Sequence, residues 1–358
     1  MGKKHYIIPV FVPHKGCPFD CVFCNQKKIT GLTEDITPQE VDVQIQEYLN
    51  TINNLNQKHV EIAFFGGSFT GIEIEKQEKL LQIASKWKKT GMIKDIRLST
   101  RPDYIKESIL ERLVTYGVSI IELGVQSMND EVLIKSGRGH TAEDVVNAVK
   151  IIKQFPVKLG LQMMIGLPGD NKRKINDTAD KLIDLSPDFV RIYPTLVVRD
   201  TYLEKMYLQG KYRALSLEDA ISICKNLLLK FLKAEIPVIR VGLQPTENIL
   251  LGREVIAGPF HPSFRQLVEA EIFKEMLDYL FLKENIKSLW IEMQVMDRYI
   301  SSLVGQKKAN VNFIKNKYDI KKIKIMKNNN LKDGEIHIIT TSGEIFKIDM
   351  KKYADNAI

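Results

Sequence analysis

The chain has 358 residues, 44% of them hydrophobic, 8% aromatic and 27% charged, which supplies a packed core and excludes disorder along the whole length. Its net charge of +8 favours an anionic partner such as nucleic acid or a phosphorylated metabolite, although a lysine-rich proteome gives the same balance. Four cysteines are too few for a disulfide framework at this length, and three of them cluster, which points to metal ligands.

The start, MGKKHYIIPVFVP, is basic and then apolar. Its apolar run is short, broken by Pro9 and Pro13, and followed by no small-residue cleavage site, so it does not read as a secretory leader. No run approaches the roughly 20 apolar residues of a membrane span. The expected location is cytoplasmic, with no membrane partner.

Apolar, β-branched runs then alternate with amphipathic stretches. Strands are expected at 5–12, 60–65, 94–99, 118–125, 157–165 and 188–193, with helical patterns such as 38–52 and 143–155 between them. This alternation predicts an α/β fold with a parallel sheet, a partial (β/α)6 TIM-like barrel over residues 1–244. After residue 244 the pattern changes. A long helix at 264–282, a strand at 286–294, a short helix and a hairpin at 334–350 turning at Ser342-Gly343 make a small C-terminal α/β extension, residues 245–358.

In a β/α barrel the chemistry sits at the C-terminal strand ends. HKGCPFDCVFC follows the first expected strand, GGSFTG (66–71) the second and STRPD (99–103) the third; GVQS (124–127) closes the fourth and GLPGD (166–170) the fifth. Cys17, Cys21 and Cys24 in the first of these are spaced C-x3-C-x2-C. A zinc site would need His14 as its fourth ligand, and zinc ligands usually come as two separated pairs. Redox-active or buried thiols are a second reading. A [4Fe–4S] cluster held by three thiolates is a third, with one iron left to chelate the amino and carboxylate groups of a methionine moiety.

The cysteine loop, with aromatic Phe23 just before its last cysteine, resembles the signature of the radical SAM superfamily. The resemblance implies a [4Fe–4S] cluster on Cys17, Cys21 and Cys24 and S-adenosylmethionine (SAM) as cofactor, with an electron donor such as flavodoxin or ferredoxin. GGSFTG resembles the superfamily's glycine motif, so Gly66, Gly67 and Ser68 are expected near the SAM amino group, where a missing Cβ lets backbone approach closely. ELGVQSMNDEVLIKSGRGHT (122–141) resembles the block shared by oxygen-independent coproporphyrinogen oxidases and the Elongator catalytic subunit. By that motif Gln126 and Arg138 contact SAM, the Arg fork suiting a carboxylate. LQMMIGLPGD resembles the fifth-strand motif, in which relatives commonly carry an acidic residue at the position of Gln162. Gln162 can hydrogen-bond ribose hydroxyls, but it is neutral. Arg101 is read as paired with Asp103 or a helix end, Cys224 as core, and His140 and His261 as structural or reaching substrate.

CPFDCVFCNQKKITG, GGSFTGI, TRPDYI, ELGVQSM and GRGHT are similar to the radical SAM part of the Elongator catalytic subunit, a family that modifies the wobble uridine of tRNA. That family uses an appended acetyltransferase domain. Residues 283–358 are about half of a usual small domain and hold no Gly-rich pyrophosphate loop, so acetyl transfer by this chain is not expected. Eight lysines from Lys307 to Lys327, interleaved with Phe313 and Tyr318, form a basic strip that could hold RNA phosphates and stack bases; a solvated lysine face is the plainer reading. The expectation is a radical SAM enzyme acting on RNA. The alternatives are a radical enzyme acting on a tetrapyrrole or another small molecule, and a haem- or cluster-binding accessory protein.

Overall fold

The computed structural model describes residues 5–12, 21–25, 36–243 and 250–357. It divides into two compact units, Met1–Leu215 with Leu243–Gly258, and Ser216–Gly242 with Pro259–Ile358.

In the first unit strands and helices alternate: β1 (His5–Val12), α1 (Pro38–Asn50), β2 (His59–Gly66), α2 (Ile74–Lys89), β3 (Asp95–Thr100), α3 (Glu107–Thr115), β4 (Ile120–Gln126), α4 (Asp130–Lys135), α5 (Ala142–Ile152), β5 (Lys158–Ile165), α6 (Lys172–Asp184) and β6 (Phe189–Pro194). The six strands lie side by side in chain order, and every neighbouring pair is parallel. This is the expected α/β architecture of a partial β/α barrel. The helix starts are written locally. Thr37 and Glu40 form a reciprocal capping box ahead of α1, with Pro38 in its first turn, and Thr141 and Asp144 do the same for α5. The buried positions Val41, Ile45 and Leu49 recur every four residues and turn one stripe of α1 inward.

One face of the sheet is apolar: Ile62, Phe64, Leu98, Ile121, Leu123, Leu161, Met163, Val190 and Ile192 are all buried. The alternate positions carry a charged ladder. Arg97 on β3 binds Glu61 on β2 (Nη2–Oε2 2.9 Å) and Glu122 on β4, and Arg191 on β6 binds Glu122 (Nη1–Oε2 2.6 Å). Gly160 on β5 makes room for it, since a Cβ there would come within 2.3 Å of the Phe189 ring. That ring lies 5.1 Å from the Arg97 guanidinium carbon.

β7 (Val197–Val198) and α7 (Tyr202–Leu208) follow; α8 (Leu217–Lys233) and β8 (Val238–Val241) belong to the second unit. β9 (Val255–Ala257), back in the first unit, pairs antiparallel with β7. The sequence reading missed this short ribbon because two- and three-residue strands carry no periodic signal.

The second unit continues with α9 (Phe264–Lys283), β10 (Trp290–Val295), α10 (Ile300–Val304), α11 (Ala309–Lys317), β11 (Lys322–Lys327), β12 (Glu335–Thr340), β13 (Ile345–Asp349) and α12 (Met350–Ala357). Its four-stranded sheet has the order β11-β10-β12-β13. The expected hairpin is present: Gly343 has φ +85° and its N–H donates to Thr340 O at 3.0 Å. Phe273, Met276, Leu277 and Leu280 of α9 share a core with Ile291, Met293, Ile336 and Ile338. Cys224 on α8 is fully buried, as expected, and burial pushes its thiol pKa up.

The basic strip runs over α11 and β11. Three of its lysines have carboxylate partners: Lys317 with Asp278, Lys321 with Asp319 and Lys324 with Glu292, at 2.6, 2.6 and 2.9 Å. Its two aromatics are half-buried and pack against the core of the second unit. Tyr318 stacks on Phe281 at 4.4 Å and donates its hydroxyl proton to Asp278 Oδ1, while Phe313 packs against the core. Lysine spacing showed the charge, but only the packing shows that both rings face inward.

Candidate functional site

The strand ends expected to carry chemistry converge around Cys21. The described part of the cysteine loop, residues 21–25, is a tight turn closed by Cys24 N–H donating to Cys21 O at 2.9 Å. Two backbone bonds tie it down: Val22 N–H to Ser136 O (3.0 Å), and Leu203 N–H, in the first turn of α7, to Val22 O (2.7 Å). Val22 is buried with Val197, Leu203 and Tyr212, and Phe23 packs against the same cluster. The aromatic residue before the last cysteine thus anchors the turn. Asn25 Nδ2 donates to Arg199 O at 3.2 Å. Cys17 lies outside the described residues.

Arg138 is buried and spans the site. Its Nη1 donates to Cys21 Sγ at 3.3 Å and its Nη2 to Gly124 O at the end of β4. Its Nε is buried with no hydrogen-bond partner among the described residues. Arg101 holds the same turn from the other side, as a fork on Asp103 (2.9 and 3.0 Å) whose Nη2 also donates to Arg138 O at 2.6 Å. The structural pairing expected for Arg101 is therefore present, and its consequence is to fix Arg138.

At the end of β4 the register shifts between Gly124 and Gln126, and Gln126 adopts φ +68°. A left-handed conformation is uncommon in a non-glycine residue and costs energy. The bulge re-aims Gln126 so that its Oε1 accepts from Gln162 Nε2 on β5 at 3.3 Å. A Cβ on Gly124 would stand 3.2 Å from Gln126 Nε2 and 3.3 Å from Arg138 Nη2. The structure thus brings together Cys21, Arg138, Gln126 and Gln162, from three separate stretches of sequence.

GGSFTG follows β2. Gly66 has φ +104°, and a Cβ there would lie 2.6 Å from Val12 O; Gly67 N–H donates to the same oxygen at 3.1 Å. Glycine is required here by the close pass of β1. We expect Gly66→Ala to lower stability by about 1–3 kcal/mol, measured as a lower urea midpoint, because both the backbone angle and the contact oppose a side chain. Ser68 is buried, with its hydroxyl paired to Thr100 Oγ1 at 2.8 Å and accepting from Arg101 N–H at 3.2 Å. Its side chain joins β2 to β3, while its backbone and that of the glycines form the loop.

His140 is buried with Nε2 3.2 Å from Val125 O. Burial and the nearby Arg138 and Arg101 push its pKa down to about 4, so it is neutral at ordinary pH and holds the end of β4. His261, in the second unit, accepts from Ser263 N–H at 3.1 Å, a local turn contact.

The charged ladder was not singled out from the sequence. Its signal was present as Glu61, Arg97, Glu122 and Arg191 inside otherwise apolar strands, but pairing them needs the strand register. The Arg191 guanidinium carbon also lies 5.4 Å from the Phe65 ring centre and 5.5 Å from that of Tyr193, in the last residues of β2 and β6.

A fit for an iron–sulfur cluster and SAM rests on these donors. Cys21 and Cys24 offer two thiol sulfurs from one turn, and a guanidinium stands against one of them. Beside them are the re-aimed Gln126 and a buried Arg138 Nε that has no partner among the described residues. This donor chemistry suits a sulfur-ligated cluster with a polar, anionic-ended ligand next to it.

Comparison with known proteins agrees. The family model described as the radical SAM superfamily matches residues 11–182, and the Radical_SAM C-terminal domain model matches 187–274. The chain belongs to the radical SAM superfamily. Proteins similar to it include the tRNA uridine(34) acetyltransferase of Methanocaldococcus infernus, 28% identical over 261 residues, which cover 63% of this chain and 49% of that protein. Elongator complex protein 3 of Bos taurus is 25% identical over 246 residues, covering 58% of this chain and 45% of that one. The chain therefore spans about half the length of these curated relatives. The solved structure of the archaeal Methanocaldococcus infernus Elp3 with an N-terminal deletion superposes with a TM-score of 0.60 at 21% identity, over 80% of this chain and 68% of that one, and shares its fold. No helix among the described residues is long and apolar enough to cross a membrane.

Proposed function

We propose that this chain is a radical SAM enzyme that acts on RNA, with a tRNA as the substrate class. The carrying observation is the guanidinium of Arg138, tied to the end of β4, against Cys21 Sγ. Cys17, Cys21 and Cys24 would hold a [4Fe–4S] cluster, and Gly66, Gly67, Ser68, Gln126, Arg138 and Gln162 would surround SAM, with Phe23 anchoring the cysteine turn. When bound and reduced, the cluster supplies the electron that splits SAM into methionine and a 5′-deoxyadenosyl radical, which abstracts a hydrogen atom from the substrate.

The chain's own residues have separate tasks. Arg138 offers a cation to a carboxylate, and Arg101 with Asp103 holds it in place. Gln126 and Gln162 present amide donors and acceptors suited to ribose hydroxyls. Gly66 and Gly67 let backbone come close, and the cluster of Val22, Val197, Leu203 and Tyr212 keeps water from behind the cysteine turn. The electron would come from a flavodoxin or ferredoxin. The RNA reading is supported by the names of the similar proteins and by the lysines of α11 and β11, which can bind phosphate without base stacking. We assign the chemistry to residues 1–244 and the contact with substrate backbone to residues 245–358.

The test compares modified nucleosides in total tRNA from a strain lacking this chain and from its parent. Loss of one modified nucleoside, restored by the wild-type chain and not by Cys24→Ala, is expected. An identical profile would overturn the RNA assignment. Release of 5′-deoxyadenosine from anaerobically reconstituted, reduced protein tests the radical chemistry on its own.

A further inference from the structure

We propose that His5, His59 and Glu61 form a second metal site, for a zinc-type divalent cation, at the N-terminal ends of β1 and β2. This is the end of the strands opposite the cysteine turn, and the inference does not rest on the radical chemistry. One donor atom from each of the three residues lies within 4.8 Å of the others. The strand register builds the cluster: His5 pairs with His59 across β1 and β2, and Glu61 is two residues further along the same face. The imidazole rings meet edge to face with centroids 4.9 Å apart, and His5 Nε2 is 3.2 Å from Glu61 Oε1.

The donor set and its surroundings fit a metal in three respects. Two imidazoles and one carboxylate are a ligand set zinc uses, with water completing the tetrahedron. Glu61 is fully buried, and its Oε1 receives no hydrogen bond among the described residues. Arg97 Nη2 is 2.9 Å from Oε1 as an ion pair, but the guanidinium N–H bonds are directed to Oε2. Finally, His59 Nε2 stands 2.8 Å from Asp95 Oδ2, and Asp95 is itself fixed by the Ser119 hydroxyl at 2.6 Å. Metal-binding imidazoles are commonly oriented by such a carboxylate.

Arg97 divides its charge between Glu61 and Glu122, so Glu61 is only partly neutralised. Imidazole donors select zinc, cobalt or nickel over calcium and magnesium. Both histidine side chains are about half exposed, at 49% and 46%, so a cation can enter from solvent. Bound there, it would clip β1 to β2.

The test uses the full chain with its iron–sulfur cluster reconstituted anaerobically, dialysed against zinc chloride and then against buffer, with zinc and iron both counted. One zinc per chain at unchanged iron is expected, lost in His5→Ala and in His59→Ala while iron stays. Zinc that persists in both variants, zinc gained only as iron is lost, or no zinc retained would overturn the site. If no iron is incorporated, the same count in a Cys17→Ala/Cys21→Ala/Cys24→Ala variant still decides it. Cobalt(II) gives an independent readout: visible bands of a nitrogen–oxygen site without thiolate charge transfer support it, and thiolate charge transfer that survives His5→Ala and His59→Ala opposes it.

Discussion

Cys21→Ala is expected to remove iron from the protein: anaerobic reconstitution should yield no stoichiometric cluster where the wild-type chain should take up about four irons. The same loss is expected for Cys17→Ala and Cys24→Ala, and 5′-deoxyadenosine release falls to background with it. Three thiolates hold the cluster in this reading. The fourth cysteine, Cys224, is fully buried in the second unit among apolar side chains. Cys224→Ala should therefore keep the full iron content, which separates a ligand effect from a general sensitivity to thiol loss. The turn itself is held by main-chain bonds through Val22 that an alanine side chain at Cys21 leaves intact. Iron content and the visible spectrum make the measurement, with far-ultraviolet circular dichroism as the control for folding. Retention of the cluster in Cys21→Ala, or zinc and no iron in the wild-type chain, overturns the assignment.

The largest stability effect is expected at Arg97. Its guanidinium neutralises two carboxylates, Glu61 and Glu122, exposed by 0% and 1% respectively. Arg97→Met takes the guanidinium away from Glu61, leaving it beside the His5 and His59 imidazoles, and leaves Glu122 paired with Arg191. Removing one partner of a buried ion pair strands the other in a low-dielectric interior and costs about 3–5 kcal/mol. In a unit of this size that lowers the melting temperature by roughly 10 °C. The double variant Arg97→Met/Glu61→Gln should recover part of the loss, because one stranded charge disappears with its partner. A change below about 1 kcal/mol in the single variant would mean that water reaches these carboxylates and screens them. The ladder also carries a functional consequence. It includes Arg191, which is packed by Phe65 and Tyr193 at the C-terminal strand ends, so reduced activity without loss of iron is expected to accompany the destabilisation.

These two sites differ in how far they could be read from the chain. The cysteine spacing and the strand-end motifs are local patterns, and local patterns survive without coordinates. The alternation of apolar strands and amphipathic helices does too, because burial on one face imposes a period that a linear sequence retains. Cys224 could be placed in a core for the same reason. The ladder could not be assembled in that way: Glu61, Arg97, Glu122 and Arg191 are separated by 25 to 69 residues in the contacts they make, and strand register alone puts them in reach. Arg138 was legible as a site residue by resemblance, but its contact with Cys21, 117 residues away, was not.

The basic strip gives the opposite lesson. Its charge was plain in the sequence, whereas the direction of its rings was not: Tyr318 stacks on Phe281. The His5–His59–Glu61 cluster likewise has no spacing signature, since His5 and His59 belong to different strands. The sequence by itself determined the fold class, the cysteine turn and the order of the strand-end loops, because each follows from residue types within a short window. Tertiary structure alone decided which charges neutralise one another and which donors converge, because those depend on parallel pairing that joins residues far apart in the chain.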